Sequence, residues 1–138
     1  MKEIKKILVG VDGSENSLRA AEMAADLAKR YGAQVSLVFV IGGTDYTMLE
    51  GKEVWTDQAS RIGDVELKKA EGIMDAAGVK YVRDLDFGHP VKKLLERAKE
   101  HDMIVLGAHG KGAMKGLFMG SVSGRVSQDS PVPIMIVP

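Results

Sequence analysis

The chain has 138 residues, 45% hydrophobic and 28% charged, which suits one soluble globular domain with a single core and leaves no room for a second. Nineteen basic residues balance nineteen acidic ones and cysteine is absent, which excludes bulk attraction to nucleic acid or an anionic membrane, disulfides, thiolate catalysis and zinc–thiolate sites. No apolar run approaches the roughly twenty residues of a membrane span, and the run behind Lys2, Lys5 and Lys6 ends at Asp12, too short for a secretory signal, so a cytoplasmic location is expected.

Ile7 to Val11 is a short β-branched run closed by Asp12-Gly13-Ser14, the pattern of a buried parallel strand. Ser14 is placed to cap a helix over Glu15 to Tyr31, with Leu18, Ala21, Ala25 and Ala28 at helical spacing and Gly32 as its stop. Gln34 to Ile41 reads as a second strand. Thr44 to Gln58 has no clear period and reads as either a loop or a short helix. A helix is expected over Ala59 to Ala77 with Ile62, Val65, Ile73 and Ala76 inward, although Gly63 and Gly72 each cost it about 1 kcal/mol relative to alanine.

Val79 to Phe87 reads as a third, more polar strand, and Gly88-His89-Pro90 turns the chain into a helix with Val91, Leu94, Leu95 and Ala98 along one stripe. Met103 to Leu106 is a fourth strand, Ser121 to Gln128 a short helix on Val122 and Val126, and Val132 to Val137 a fifth strand. Strands alternating with helices predict right-handed βαβ units, hence an open parallel sheet with helices on both faces and a ligand crevice where the strand order reverses.

Between the fourth strand and the helix that follows lies GAHGKGAMKGLFMGSVS, from Gly107 to Ser123. A strand, a glycine-rich turn and a helix N-terminus offer unpaired N–H groups and a partial positive charge to an anion such as phosphate. Gly107, Gly110 and Gly120 are expected to let the backbone approach it and to take up positive φ where the turn needs it. Ser121 and Ser123 add hydroxyls, with Ser121 a candidate helix cap, and Lys111 and Lys115 add cations. Asp12 suits an Asx turn before Gly13. His109 is read as lining the loop, His89 as part of its turn, and His101 as a solvated residue near a helix end. No G-x4-G-K-[S/T] phosphate loop occurs, and no G-x-G-x-x-G follows the first strand.

Gly107, two residues, Gly110, nine residues, and Gly120-Ser121 reproduce G-x2-G-x9-G-[S/T], and together with the first strand and the closing Pro131 to Val137 the chain resembles the universal stress protein family over residues 1–138. The pattern is that of the family's ATP-binding members. The resemblance implies a flavodoxin-like α/β fold with a five-stranded parallel sheet in the order 3-2-1-4-5, placing Asp12 opposite Gly107. It further implies ATP bound by Gly10, Asp12, Val40, Gly107, Ala108, His109, Gly110, Lys111, Gly120, Ser121, Val122 and Ser123. In that scheme Asp12 takes the ribose hydroxyls, the Val40 backbone the adenine, Ser121 and Ser123 the β- and γ-phosphates, and Mg2+ is held mainly through the phosphates.

The function implied is that of a nucleotide-dependent stress-response regulator or sensor. No activated nucleophile or oriented general base is visible, so hydrolysis is expected to be slow at most. Two alternatives stand beside it. One is an adenylating enzyme, whose Ser-Gly-Gly-x-Asp-Ser type loop is replaced here by Val11-Asp12-Gly13-Ser14; the other is a dimeric interaction module without a ligand. The last strand would lie at the sheet edge with unpaired backbone groups, and by resemblance it pairs with its copy through Ile134, Met135 and Ile136 in a homodimer.

Overall fold

A computed structural model describes residues 2–42, 47–49, 52–54, 57–110 and 119–138, with the backbone alone for 47–49, 52–54 and 57–59. The first strand, β1 (Lys6–Gly10), is followed by α1 (Glu15–Tyr31) and β2 (Gln34–Ile41). The Ser14 hydroxyl accepts the Ser17 N–H, and Gly32 closes α1 at φ 67°, so both ends lie where local chemistry places them. Ala20, Ala21, Ala24, Ala25 and Ala28 are buried on the sheet, which lets the helix pack close to it.

Two short strands, β3 (Thr47–Leu49) and β4 (Lys52–Val54), pair antiparallel, so these six residues are extended where the sequence left a loop or a short helix open, and residues 44–46, 50, 51, 55 and 56 of that stretch lie outside the described residues. The next helix, α2, runs from Asp57 to Ala77; Ile73 packs against the core as expected, but the rest of the expected face is turned outward. Ile62 and Val65 are 49% and 51% exposed and Ala76 is exposed, while Gly63, Glu66, Leu67, Ala70 and Met74 face inward. The reason is Gly63, where a Cβ would come 2.5 Å from a Leu85 methyl and 3.0 Å from the Phe39 ring. The position that weakens the helix locally is where the helix meets the sheet most closely.

The chain continues through β5 (Tyr81–Phe87), α3 (Pro90–Ala98), β6 (Met103–Gly107), α4 (Ser121–Asp129) and β7 (Ile134–Val137). β5 begins later than expected because Gly78, at φ 69°, turns the chain off α2 and the Val79 N–H still bonds the Met74 carbonyl at 3.0 Å. The five main strands are all parallel in the order β5-β2-β1-β6-β7, the expected 3-2-1-4-5 arrangement. One apolar cluster joins α1 and α2 to one face of the sheet, and a second joins α3 and α4 to the other. No helix among the described residues is long and apolar enough to cross a membrane.

Two polar clamps fix the elements around this core. The Arg97 guanidinium of α3 pairs with Asp84 and, at 3.0 Å, Asp86 of β5. Burial disfavours the Asp86 carboxylate, but the Phe87 N–H, Arg97 and Lys93 together outweigh it and hold the group below its usual value. At the other end of the sheet, Asp102 accepts the N–H groups of Lys5 and Lys6 at 2.9 and 3.0 Å. Led by the Lys5 bond, these contacts and Lys2 lower its carboxyl pKa.

His101, expected in solvent, is 7% exposed, because the end of α3 packs it over β2. Its Nδ1 lies 2.7 Å from the Arg97 carbonyl, which can only accept, so Nδ1 carries the proton. The Nε2 atom meets the Ser36 hydroxyl, also at 2.7 Å.

Candidate functional site

β1 and β6 are neighbours whose chains leave to opposite faces, β1 into α1 and β6 toward α4, so the crevice at their carboxyl ends is the switch point of the sheet. On the β1 side, the Asp12 Oδ1 atom accepts the Ser14 N–H at 2.9 Å and the Ser14 hydroxyl at 2.5 Å, the expected Asx turn. Gly13 has φ 85°, and a Cβ there would lie 3.2 Å from two carbons of the Glu66 side chain. The Asp12 Oδ2 atom is directed across the crevice, 2.7 Å from where a Cβ of Gly110 would stand. Asp12 therefore faces Gly110, not Gly107 as expected. Gly107 lies beneath α1, and the loop has to travel past it before it reaches the carboxylate.

The three motif glycines have different duties, and none has the positive φ expected of them. At Gly107 a Cβ would sit 2.7 Å from the Asn16 Cβ and 2.8 Å from the Asn16 carbonyl carbon, so the first turn of α1 occupies that space. Gly110 makes room for the Asp12 carboxylate. Gly120 folds against the other side of the loop, where its Cβ would meet the Ala108 oxygen and the Gly110 nitrogen at 3.4 Å each. Gly10 is likewise a packing glycine, since a Cβ would fall 2.8 Å from a Leu106 methyl.

The loop closes on the Ala108 carbonyl, which accepts the Gly120 N–H at 2.6 Å and the Ser123 hydroxyl at 2.8 Å. Ser123 is buried, and its hydroxyl proton is spent inside the loop. Gly120 takes the cap position, with extended backbone at φ −71° and ψ 164°, so Ser121 is the first helical residue and not the cap. Among the described residues no side chain caps the start of this helix. The first helical bond runs from the Gly124 N–H to the Gly120 carbonyl at 2.9 Å, which leaves the N–H groups of Ser121, Val122 and Ser123 without a helical partner. Ser121 is exposed beside them, and the Val122 side chain packs into the second apolar cluster.

His109 turns its main-chain carbonyl toward α1, where it accepts the Asn16 amide at 3.2 Å. Its ring Nδ1 is buried without a hydrogen-bond partner among the described residues. Lys111 and Lys115 lie outside the described residues. The Val40 main chain faces the same side of β2 as Gln34 and Val38, which accept or donate toward β1. The last bond across that edge among the described residues is Val11 N–H to the Val38 carbonyl at 2.8 Å, so the Val40 N–H and C=O open into the crevice beyond the end of β1. His89 precedes α3 as its cap residue without a capping bond. No group of three or more His, Cys, Asp or Glu side chains among the described residues is disposed to hold a metal ion.

Two neighbours of the site carried no usable signal in the sequence. Asn16 is an ordinary residue of a first helical turn until the loop from 93 residues away is laid on it. Glu66, 7% exposed with Oε2 unpartnered among the described residues, meets Gly13 only because α1 and α2 share a face.

The family model described as the universal stress protein family matches residues 3–138. A universal stress protein of Methanocaldococcus jannaschii is 31% identical over 138 residues, covering 96% of this chain and 81% of that protein. A putative universal stress protein of Staphylococcus saprophyticus is 33% identical over 142 residues, covering 99% and 85%. Among solved structures, a universal stress protein crystallised in complex with cAMP superposes with a TM-score of 0.76 at 27% identity, covering 99% of this chain and 98% of the other.

Proposed function

The chain belongs to the universal stress protein family, and from that premise we propose that it binds ATP in the β1/β6 crevice and acts as a nucleotide-dependent regulator or sensor. The observation that carries this reading is the N-terminus of α4. Three main-chain N–H groups stand there without a side-chain cap among the described residues, across the crevice from a carboxylate whose second oxygen is directed over Gly110. Such a terminus attracts phosphate through both its donors and its dipole. A relative of the same fold is solved with cAMP, which supports an adenine nucleotide as the class of ligand.

In this reading the phosphates lie on the N–H groups of Ser121, Val122 and Ser123, with the Ser121 hydroxyl and the loop residues Gly107 to Gly110 around them. The ribose takes Asp12 Oδ2, since Oδ1 is already committed to Ser14. Asp12 thus serves both as turn former and as ligand. The adenine edge is met by the open Val40 main chain beside Gly10. Mg2+ is carried in on the phosphates, which would supply most of its ligands, with water. Ser123 contributes its N–H, because its hydroxyl closes the loop.

The same reading includes a homodimer through β7. Ile104 N–H bonds the Pro133 carbonyl and Ala108 N–H the Val137 carbonyl, so Pro133, Met135 and Val137 turn toward β6 and Ile134 and Ile136 present their N–H and C=O groups outward. A second copy related by a two-fold axis pairs with those groups and leaves no new edge.

Mass spectrometry of small molecules released when the purified protein is denatured, followed by calorimetric titration with ATP, tests the proposal. Release of ATP, or binding of added ATP, is the expected result. A protein that carries no nucleotide and ignores added ATP overturns it and leaves the interaction module; pyrophosphate release with an acceptor would identify an adenylating enzyme.

A further inference from the structure

We infer that Asn16 is a positioning residue for the phosphate cradle, acting through the peptide between His109 and Gly110; as a statement about ligand binding this rests on the nucleotide reading above. The amide of Asn16 can be assigned from its partners. Its Oδ1 meets the Arg19 guanidinium, which only donates, and its Nδ2 therefore faces the His109 carbonyl, which only accepts, at 3.2 Å. The Ser14 hydroxyl approaches the same carbonyl at 3.4 Å.

The consequence follows from peptide geometry. The described chain has no cis peptide bond, so the His109 C=O and the Gly110 N–H lie in one rigid plane and point in opposite directions. Holding the carbonyl against α1 turns the N–H away from α1. The Gly110 nitrogen then lies on the Gly120 side of the loop, 3.4 Å from where a Gly120 Cβ would be, and it has no acceptor among the described residues. It thereby joins the N–H groups of Ser121, Val122 and Ser123 as a fourth donor. Asparagine contributes less to a helix than alanine would, yet here its side chain spans two elements 93 residues apart. Its main chain packs on Gly107, which fixes the distance across which the amide has to reach.

The test compares the wild-type chain with Asn16→Ala, which removes the amide without adding bulk near Gly107, and Asn16→Asp, which keeps the shape but cannot donate to a carbonyl. In the ligand-free proteins, the Gly110 amide resonance and its proximity to the α4 amides report the peptide orientation directly. Both variants are expected to shift that resonance and weaken the proximity. In calorimetry, Asn16→Ala is expected to lose about tenfold in ATP affinity, one charge-assisted hydrogen bond, while adenosine binds within about twofold of wild type. An unchanged Gly110 amide in folded Asn16→Ala overturns the inference, and so do equal losses for ATP and adenosine. A wild-type protein that binds no nucleotide overturns the function instead, and the Gly110 amide still decides the role of Asn16.

Discussion

Gly107→Ala and Gly120→Ala change the same motif by the same methyl group, and the structure gives them opposite consequences. At Gly107 the new Cβ would lie 2.7 Å from the Asn16 Cβ, 2.8 Å from its carbonyl carbon and 3.0 Å from its carbonyl oxygen. Carbon atoms at rest stand about 3.5–4.0 Å apart, so α1 would have to withdraw by roughly an ångström. Two of the three atoms are main chain and cannot rotate away. The helix is seated by five buried alanines and tied at its start by the Ser14 cap, so its withdrawal loosens a whole face of the core.

Overpacking of this kind costs about 1–3 kcal/mol. In a domain of this size about 2 kcal/mol lowers the melting temperature by roughly 8 °C. At Gly120 the nearest atoms are 3.4–3.5 Å away and φ is −71°, so alanine fits with little strain and the melting temperature should stay within about 2 °C of wild type. Differential scanning calorimetry and urea unfolding of both variants measure the difference. A Gly107→Ala protein that melts with the wild type would refute the assignment of Gly107 to helix packing. Gly120→Val, in contrast, is expected to fold and to lose ATP, because its branches crowd the loop beside the free N–H groups; unchanged affinity would remove Gly120 from the cradle.

Asp12→Ala should weaken ATP more than inorganic triphosphate, since the free Oδ2 is offered to the ribose, and equal losses in competition titrations would leave Asp12 as a turn former only. The pH dependence of stability has a definite sign. Asp102 and Asp64 both titrate below their ordinary values, Asp102 through Lys5 first and Asp64 through Arg83 first, so their contribution is present above the unfolded carboxylate pKa and is lost as pH falls through the lower folded values. Urea midpoints should therefore fall between about pH 5 and pH 2, and Asp102→Asn should flatten that decline; a parallel decline in the variant would assign it to other carboxylates. Sedimentation of the nucleotide-free protein at micromolar concentration should show a dimer. Ile136→Pro, which removes an outward N–H and spares the bonds to β6, should shift it to monomer, and a monomeric wild type would refute the edge pairing.

What the sequence determined by itself is what nearby residues decide among themselves. The strand and helix alternation, the Ser14 cap and the left-handed Gly32 followed from local pattern, because caps and periodicity are settled within a few residues, whereas the order of the five main strands came from the family resemblance. That a glycine-rich segment leads from the fourth strand into a helix beginning at Ser121 was likewise legible from local pattern. Tertiary structure alone decided which face of α2 turns inward, since Phe39 and Leu85 select Gly63 over the more apolar Ile62 and Val65. It also decided that His101 is buried against Ser36, that Asp12 looks toward Gly110, and that Asn16 holds His109. Each of these joins residues far apart in the chain, and composition and spacing carry no record of such a meeting until the sheet order and the two helix layers bring the partners within a hydrogen bond of each other.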